Sequence, residues 1–217
     1  MKINRWNMGN DDLFKKRQEV RKSRIENTKK LKSSNWLIVC EGLQTEVNYF
    51  KEAVNSINSK IEDKYRLKVK VIGKGMSTIS LVNSVDHLIN YIDKYKYNVV
   101  PYGKIFVVFD KDDFSNEAFN NAIAICEKNG YIPLWSNQSI EYWFLLHFYY
   151  IDSKMNRLEY ENKINNYFKN CGLNYHYKKN AKHIYSIHAN DTPADSESCT
   201  TVYKFFEYID ERLNELK

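Results

Sequence analysis

Two short stretches of this chain run as apolar, strand-length segments and stop directly at a carboxylate. One is Trp36-Leu37-Ile38-Val39-Cys40-Glu41-Gly42. The other is Ile105-Phe106-Val107-Val108-Phe109-Asp110-Lys111-Asp112-Asp113. A near-continuous apolar run of this length reads as a strand buried on both faces, the kind found in parallel sheets covered by helices. Parallel strands send their carboxyl ends to one edge, and open α/β sheets build their sites there. Three or four carboxylates crowded at one edge repel one another, so they need a cation.

The rest of the chain supplies the alternation that a parallel sheet requires. Residues 36–40 are strand, and Val47, Phe50, Val54 and Ile57 then recur at helical spacing, with Thr45 expected to cap that helix. Residues 66–72 alternate apolar and polar, as a strand does, and Gly73-Lys74-Gly75 breaks them. Ser77 or Thr78 is expected to cap a helix with an apolar stripe from Leu81 to Ile92. Strand 105–109 follows the turn at Pro101 and Gly103. Ser115 caps a helix that Gly130 stops. Residues 131–135 form a fourth strand, which tolerates Pro133 if it lies at the sheet's edge. An apolar helix over 139–148 completes the pattern.

This β-α-β-α-β-α-β-α order predicts an α/β, Rossmann-like fold: a mainly parallel four-stranded sheet with helices on both faces. Beyond Tyr150 the chain turns polar and rich in Tyr and Asn. Residues 152–170, 176–189 and 200–216 read as helices, giving a C-terminal helical cap. The organisation expected is a leader over 1–35, a core over 36–150 and a helical region over 151–217 packed on the core.

Composition narrows the setting. The chain has 217 residues, ample for a buried core. No run approaches the ~18 apolar residues of a membrane span, and the first ten residues lack the apolar region of a signal peptide. The four cysteines form no Cys-x-x-Cys pair, which argues against a zinc ribbon and fits a reducing cytoplasm. Charge is unevenly placed: residues 1–36 carry 11 Lys and Arg against 4 Asp and Glu, whereas residues 37–217 carry 22 against 23. The whole basic excess lies in the leader, with Lys15, Lys16, Arg17, Arg21, Lys22 and Arg24 at its centre. Such an arm suits a phosphate backbone, because binding a polyanion releases counterions. A solvated, partly helical leader is the plainer alternative.

Four places carry the acids. Glu41 follows the first strand and Glu46 opens the first helix. Asp110 and Asp112 follow the third strand, their i, i+2 spacing letting both reach one side of an extended segment. Glu141 comes just after the fourth strand. Mg²⁺ takes oxygen ligands and keeps waters for substrate phosphates, and a pair of such ions can stabilise both oxygens of a phosphodiester displacement. Each acid also has a plainer reading. Asp-x-Asp is common in loops, Glu46 suits a helix N-terminus, and Glu141 could pair with a lysine. Lys74, between two glycines at the same edge, could meet a phosphate or be incidental to a tight turn. His147, on the apolar helix, reads as core.

Glu41 and Asp110-Lys111-Asp112 resemble the Toprim domain of topoisomerases, primases and several nucleases, which places a Glu after its first strand and Asp-x-Asp after its third. More narrowly, the chain is similar to the RloB-like family, Toprim-related proteins found near restriction and phage-defence loci. The similarity runs through residues 37–50, Val108-Phe109-Asp110-Lys111-Asp112-Asp113-Phe114, and residues 135–148. Gln44, Val47 and Gln138 depart from the family pattern, and none of these departures removes a carboxylate. Toprim nucleases of the overcoming-lysogenization-defect type add a second Glu and a Ser-x-Glu, and Glu46 and Ser139-x-Glu141 stand at analogous positions.

The resemblance implies a Mg²⁺- or Mn²⁺-dependent nuclease of DNA or RNA, using one ion or two, in an antiviral defence system. Glu41, Asp110 and Asp112 would be the catalytic set, and Glu46 and Glu141 would complete the metal ligands. A defence partner protein and an oligomer both fit this expectation; a membrane does not. The rivals are a nucleic-acid sensor that keeps the fold without cutting, and a toxin-like effector on host RNA held silent by a partner. The leader carries its own test. Deleting residues 1–33 is expected to weaken nucleic-acid binding and to flatten its salt dependence in a filter-binding titration; unchanged affinity and slope would remove the arm from the binding surface.

Overall fold

The structure, a computed structural model, describes residues 17–19, 35–94, 102–111, 114–151, 155–174, 176–177 and 200–214. Of the leader's basic residues, Arg17 is helical and exposed. Lys15, Lys16, Arg21, Lys22 and Arg24 lie outside the described residues, as do Asp112 and Asp113.

Four strands form one sheet: β1 (Asn35–Cys40), β2 (Lys68–Gly73), β3 (Lys104–Asp110) and β4 (Ile132–Ser136). Their order is β2-β1-β3-β4 and every pairing is parallel. Helices α1 (Thr45–Asn58), α2 (Thr78–Lys94) and α3 (Asn116–Lys128) make the crossovers. Helices α4 (Glu141–Leu146), α5 (Arg157–Asn170) and α6 (Tyr203–Asn214) follow the last strand. Among the described residues no helix is long and apolar enough to cross a membrane.

Strand periodicity divides the interior into two layers. Trp36, Ile38, Cys40, Phe106, Val108 and Leu134 face α1, α4, α5 and α6. Leu37, Val39, Val107 and Phe109 face α2 and α3, meeting Leu81, Val82, Val85, Phe119, Ala122 and Cys126. Residues 36–40 of β1 have no solvent exposure, the double-sided burial that an uninterrupted apolar run anticipates. The chain runs from β1 outward to β2, then crosses back over β1 to β3 on its other side. This change of direction between β1 and β3 is a topological switch point, where a crevice opens beyond the strand ends.

Several boundaries differ from expectation, each for a local reason. Thr45 is the first helical residue rather than the cap; Gln44 stands at the cap position without a side-chain bond. Residues 155 and 156 are not helical: α5 begins at Arg157 because Asn156 and Glu159 form a capping box. Ser115 does cap α3, accepting from the Ala118 N–H at 3.2 Å. His176 and Tyr177 are not helical, and the remainder of the helix expected over 176–189 lies outside the described residues. Thr200 and Thr201 precede α6 and dock on β4. Thr200 makes an antiparallel bridge to Ser136, and the Thr201 N–H donates to the Trp135 carbonyl at 2.8 Å. The Trp135 N–H donates in turn to the Thr201 hydroxyl at 2.8 Å. These bonds cover backbone groups that an edge strand leaves open.

α6 is fastened to the sheet by aromatic packing. The Phe205 ring lies 5.4 Å from Phe106, 5.2 Å from Phe50 and 6.1 Å from Trp36, centroid to centroid. All three contacts are edge-to-face, the arrangement aromatic quadrupoles favour. Phe205→Ala is expected to cost about 3–5 kcal/mol of folding stability, measured by urea denaturation. A loss below about 1 kcal/mol would mean that α6 does not depend on this ring.

Candidate functional site

The carboxyl ends of β1, β2 and β3 are joined by backbone bonds that continue the ladders past the strands. The Glu41 N–H donates to Val108 O at 2.9 Å, Lys74 N–H to Cys40 O at 3.0 Å, and Gly75 N–H to Glu41 O at 2.8 Å. Gly73 has no room for a side chain. A Cβ there would lie 2.5 Å from Gly42 O and 2.8 Å from Leu43 Cα. The close approach that the glycine permits is therefore to the neighbouring loop. Lys74 is half-buried at this edge.

Glu41 and Asp110 meet at the switch point. Glu41 Oε2 accepts from the Thr78 hydroxyl at 3.0 Å and from the Asp110 backbone N–H at 3.3 Å. Asp110 is 6% exposed and Thr78 is buried. Thr78 is the first residue of α2, so its hydroxyl turns to the Glu41 carboxylate and fixes it beside the end of β3. Sequence reasoning treated Thr78 as a cap and missed this contact. Its position just beyond Gly73-Lys74-Gly75, at the same edge, was the available signal.

Glu46 sits in the first turn of α1, buried, with its carboxylate over Gly42. A Cβ at Gly42 would lie 2.1 Å from Glu46 Oε2, so the missing side chain is what admits this carboxylate. Its charge is felt by Cys40, whose thiol is pushed well up, first by burial and then by Glu46.

Glu141 begins α4 with no solvent exposure. Gln138, at φ 73°, turns the chain from β4 toward this helix. Glu141 Oε1 accepts from the Tyr177 hydroxyl at 3.0 Å. Glu141 Oε2 is buried and has no hydrogen-bond partner among the described residues, and the same holds for Ser139 Oγ. Tyr177 is raised far above the ordinary phenol range, by burial first, then by the charge and hydrogen bond of Glu141, with Glu161 and Glu46 adding. Glu46 and Glu141 thus both act on one phenol. No short-range pattern pointed to Tyr177: it is one of 17 tyrosines and lies 36 residues from its partner.

Among the described residues, no three His, Cys, Asp or Glu side chains converge closely enough to hold one ion. Asp112, a member of the expected set, is outside them. The donors present still suit a hard divalent cation: Glu41, Glu46, Asp110 and Glu141 offer oxygen only, and one buried carboxylate oxygen is unsatisfied.

His147 belongs to the core. The Trp143 indole N–H donates to Tyr49 Oη at 2.5 Å, and Tyr49 Oη lies 3.3 Å from His147 Nε2. With the indole donating to it, the Tyr49 hydroxyl donates to Nε2, which a neutral imidazole accepts.

A doubly wound α/β protein with acidic groups at its switch point is the class that fold and site define. Within that class, this chain belongs to the RloB-like family, whose model, described as RloB-like protein, matches residues 36–209. No curated protein and no solved structure matches the chain.

Burial holds His147 down at about 4, against about 6.5 in an unfolded chain. Between those values the unfolded chain binds a proton that the folded chain refuses. Stability is therefore expected to fall by roughly 3 kcal/mol as pH drops from 6.5 toward 4, and this contribution to level off below 4. Urea denaturation across that range should show the slope reduced in His147→Gln; identical slopes would show that His147 takes up its proton as readily in the fold as in the unfolded chain.

Proposed function

We propose that this protein is a Toprim-type, Mg²⁺- or Mn²⁺-dependent nuclease that hydrolyses phosphodiesters in DNA or RNA, and that it serves in antiviral defence in the cytoplasm. The observation that carries the reading is the meeting of Glu41 and Asp110 at the β1–β3 switch point, with Glu41 fixed by Thr78. Glu41, Asp110 and Asp112 would hold the metal, and Glu46 and Glu141 would complete the ligand set for a second ion. When bound, such ions polarise the phosphodiester and lower the pKa of an attacking water.

The chain's own residues divide the remaining work. Thr78 and the Asp110 N–H restrain Glu41 Oε2, so a carboxylate serving as ligand or as general base keeps its place. Lys74 stands at the same edge for the phosphate, and the basic leader would add contacts to the phosphate backbone. A partner protein from the same defence system would supply the trigger.

A second reading is a metal-binding nucleic-acid sensor that keeps the fold without cutting.

Cleavage of end-labelled DNA and RNA, with and without Mg²⁺ or Mn²⁺, separates the two. For the nuclease, Asp110→Ala and Glu41→Ala should lower the rate by on the order of 100-fold or more. Glu127→Ala, on the exposed side of α3, should cut as wild type does. Equal activity in all three variants would sink the nuclease reading. Tight binding with no cleavage of either nucleic acid would establish the sensor.

A further inference from the structure

Glu141 presents an unusual division of labour between its two oxygens. Oε1 takes the Tyr177 hydroxyl at 3.0 Å. Oε2 is enclosed and takes nothing among the described residues. A buried carboxylate oxygen without a donor is costly, so it persists where something outside the protein completes it. Tyr177 is itself held in place. Its backbone N–H donates to Asn165 Oδ1 at 2.6 Å, and its carbonyl accepts from Asn165 Nδ2 at 3.2 Å. Asn165 lies on α5, so a single amide side chain fastens both sides of the Tyr177 peptide to a helix. The Tyr177 ring is 1% exposed and packs edge-on against Phe144, 6.2 Å between centroids.

We propose that Tyr177 is a positioning residue for a divalent cation: by bonding Oε1 it fixes the Glu141 carboxylate so that Oε2 is left to bind the ion. The inference rests on the metal-dependent reading above. Ligating carboxylates are commonly oriented by such outer hydrogen bonds, and losing one typically weakens metal binding 10–100-fold. Glu46, whose charge also reaches this phenol, is carried by α1 on the same side of the sheet.

The test is Mn²⁺ binding by the full-length protein, followed by isothermal titration and by loss of the free-ion paramagnetic resonance signal. Neither readout needs catalysis. Wild type is expected to bind Mn²⁺, and Glu141→Gln to lose binding at this position. Tyr177→Phe keeps the ring and removes only the hydroxyl; it should bind 10–100-fold more weakly while melting near the wild-type temperature without metal. Asn165→Ala, which frees the Tyr177 backbone, should weaken binding in the same direction and keeps the proposal testable if Tyr177→Phe folds poorly. Wild-type affinity in both variants would overturn the positioning role and leave the metal reading intact. Mn²⁺ bound equally by wild type and Glu141→Gln would remove Glu141 as a ligand, and the proposal with it. No Mn²⁺ bound by wild type would overturn the metal reading itself.

Discussion

The parallel pairing of β1 with β3 is the constraint on which the rest of the molecule depends. β1 is buried on both faces, so its register is fixed from two sides. A one-residue slip would carry Trp36, Ile38 and Cys40 into the layer shaped for Leu37 and Val39. With Cys40 opposite Val108, the next residue of β1 is Glu41, and its N–H continues the ladder onto Val108 O. The two strands therefore deliver Glu41 and Asp110 to the same place without help from any loop. The switch of direction after β2 supplies the other requirement, because it leaves the space beyond these two strand ends uncrossed by a connecting helix.

Strand parity also sorts the acids. Asp110 continues the series Phe106, Val108, which faces α1 and α4, the helices that carry Glu46 and Glu141. Glu41 continues the series Leu37, Val39, which faces α2, and it is α2 that contributes Thr78. The candidate site is thus assembled from both layers at one sheet edge. Each carboxylate of the candidate site whose hydrogen bonds are described takes them from a group on a different element: Glu41 from α2 and β3, Glu141 from the segment after α5.

Most of this fold was legible because its signals are local. Residues 36–40 and 105–109 are apolar runs of strand length, and Ser115 and Gly130 bracket α3 with their own chemistry. Glu41 and Asp110 were legible for the same reason, standing where an apolar run ends. What escaped depends on contacts distant in sequence. Thr200 and Thr201 looked like the start of a helix, yet they dock on β4, 64 to 66 residues earlier in the chain. The start of α5 could have been read from Asn156 and Glu159, whose spacing is that of a capping box. Tyr177 had no such marker, since its role is set by Asn165 on one side and Glu141 on the other.

The buried polar groups on the α4 side of the sheet show two different solutions to one physical problem. Trp143, Tyr49 and His147 form a neutral chain in which indole, phenol and imidazole complement one another, and low pKa is how the imidazole stays uncharged at the end of it. The chain ends at His147 Nδ1, which is buried and has no hydrogen-bond partner among the described residues. Glu141 lies on the same short helix and has a donor for only one of its oxygens. An apolar residue at position 141 would leave the buried Tyr177 hydroxyl without its acceptor, so Oε1 has a structural role and it is Oε2 alone that packing does not explain. What sets Glu141 apart from this neutral chain is the kind of group left open: a carboxylate oxygen, which is costlier to bury without a donor than an uncharged ring nitrogen when it carries charge.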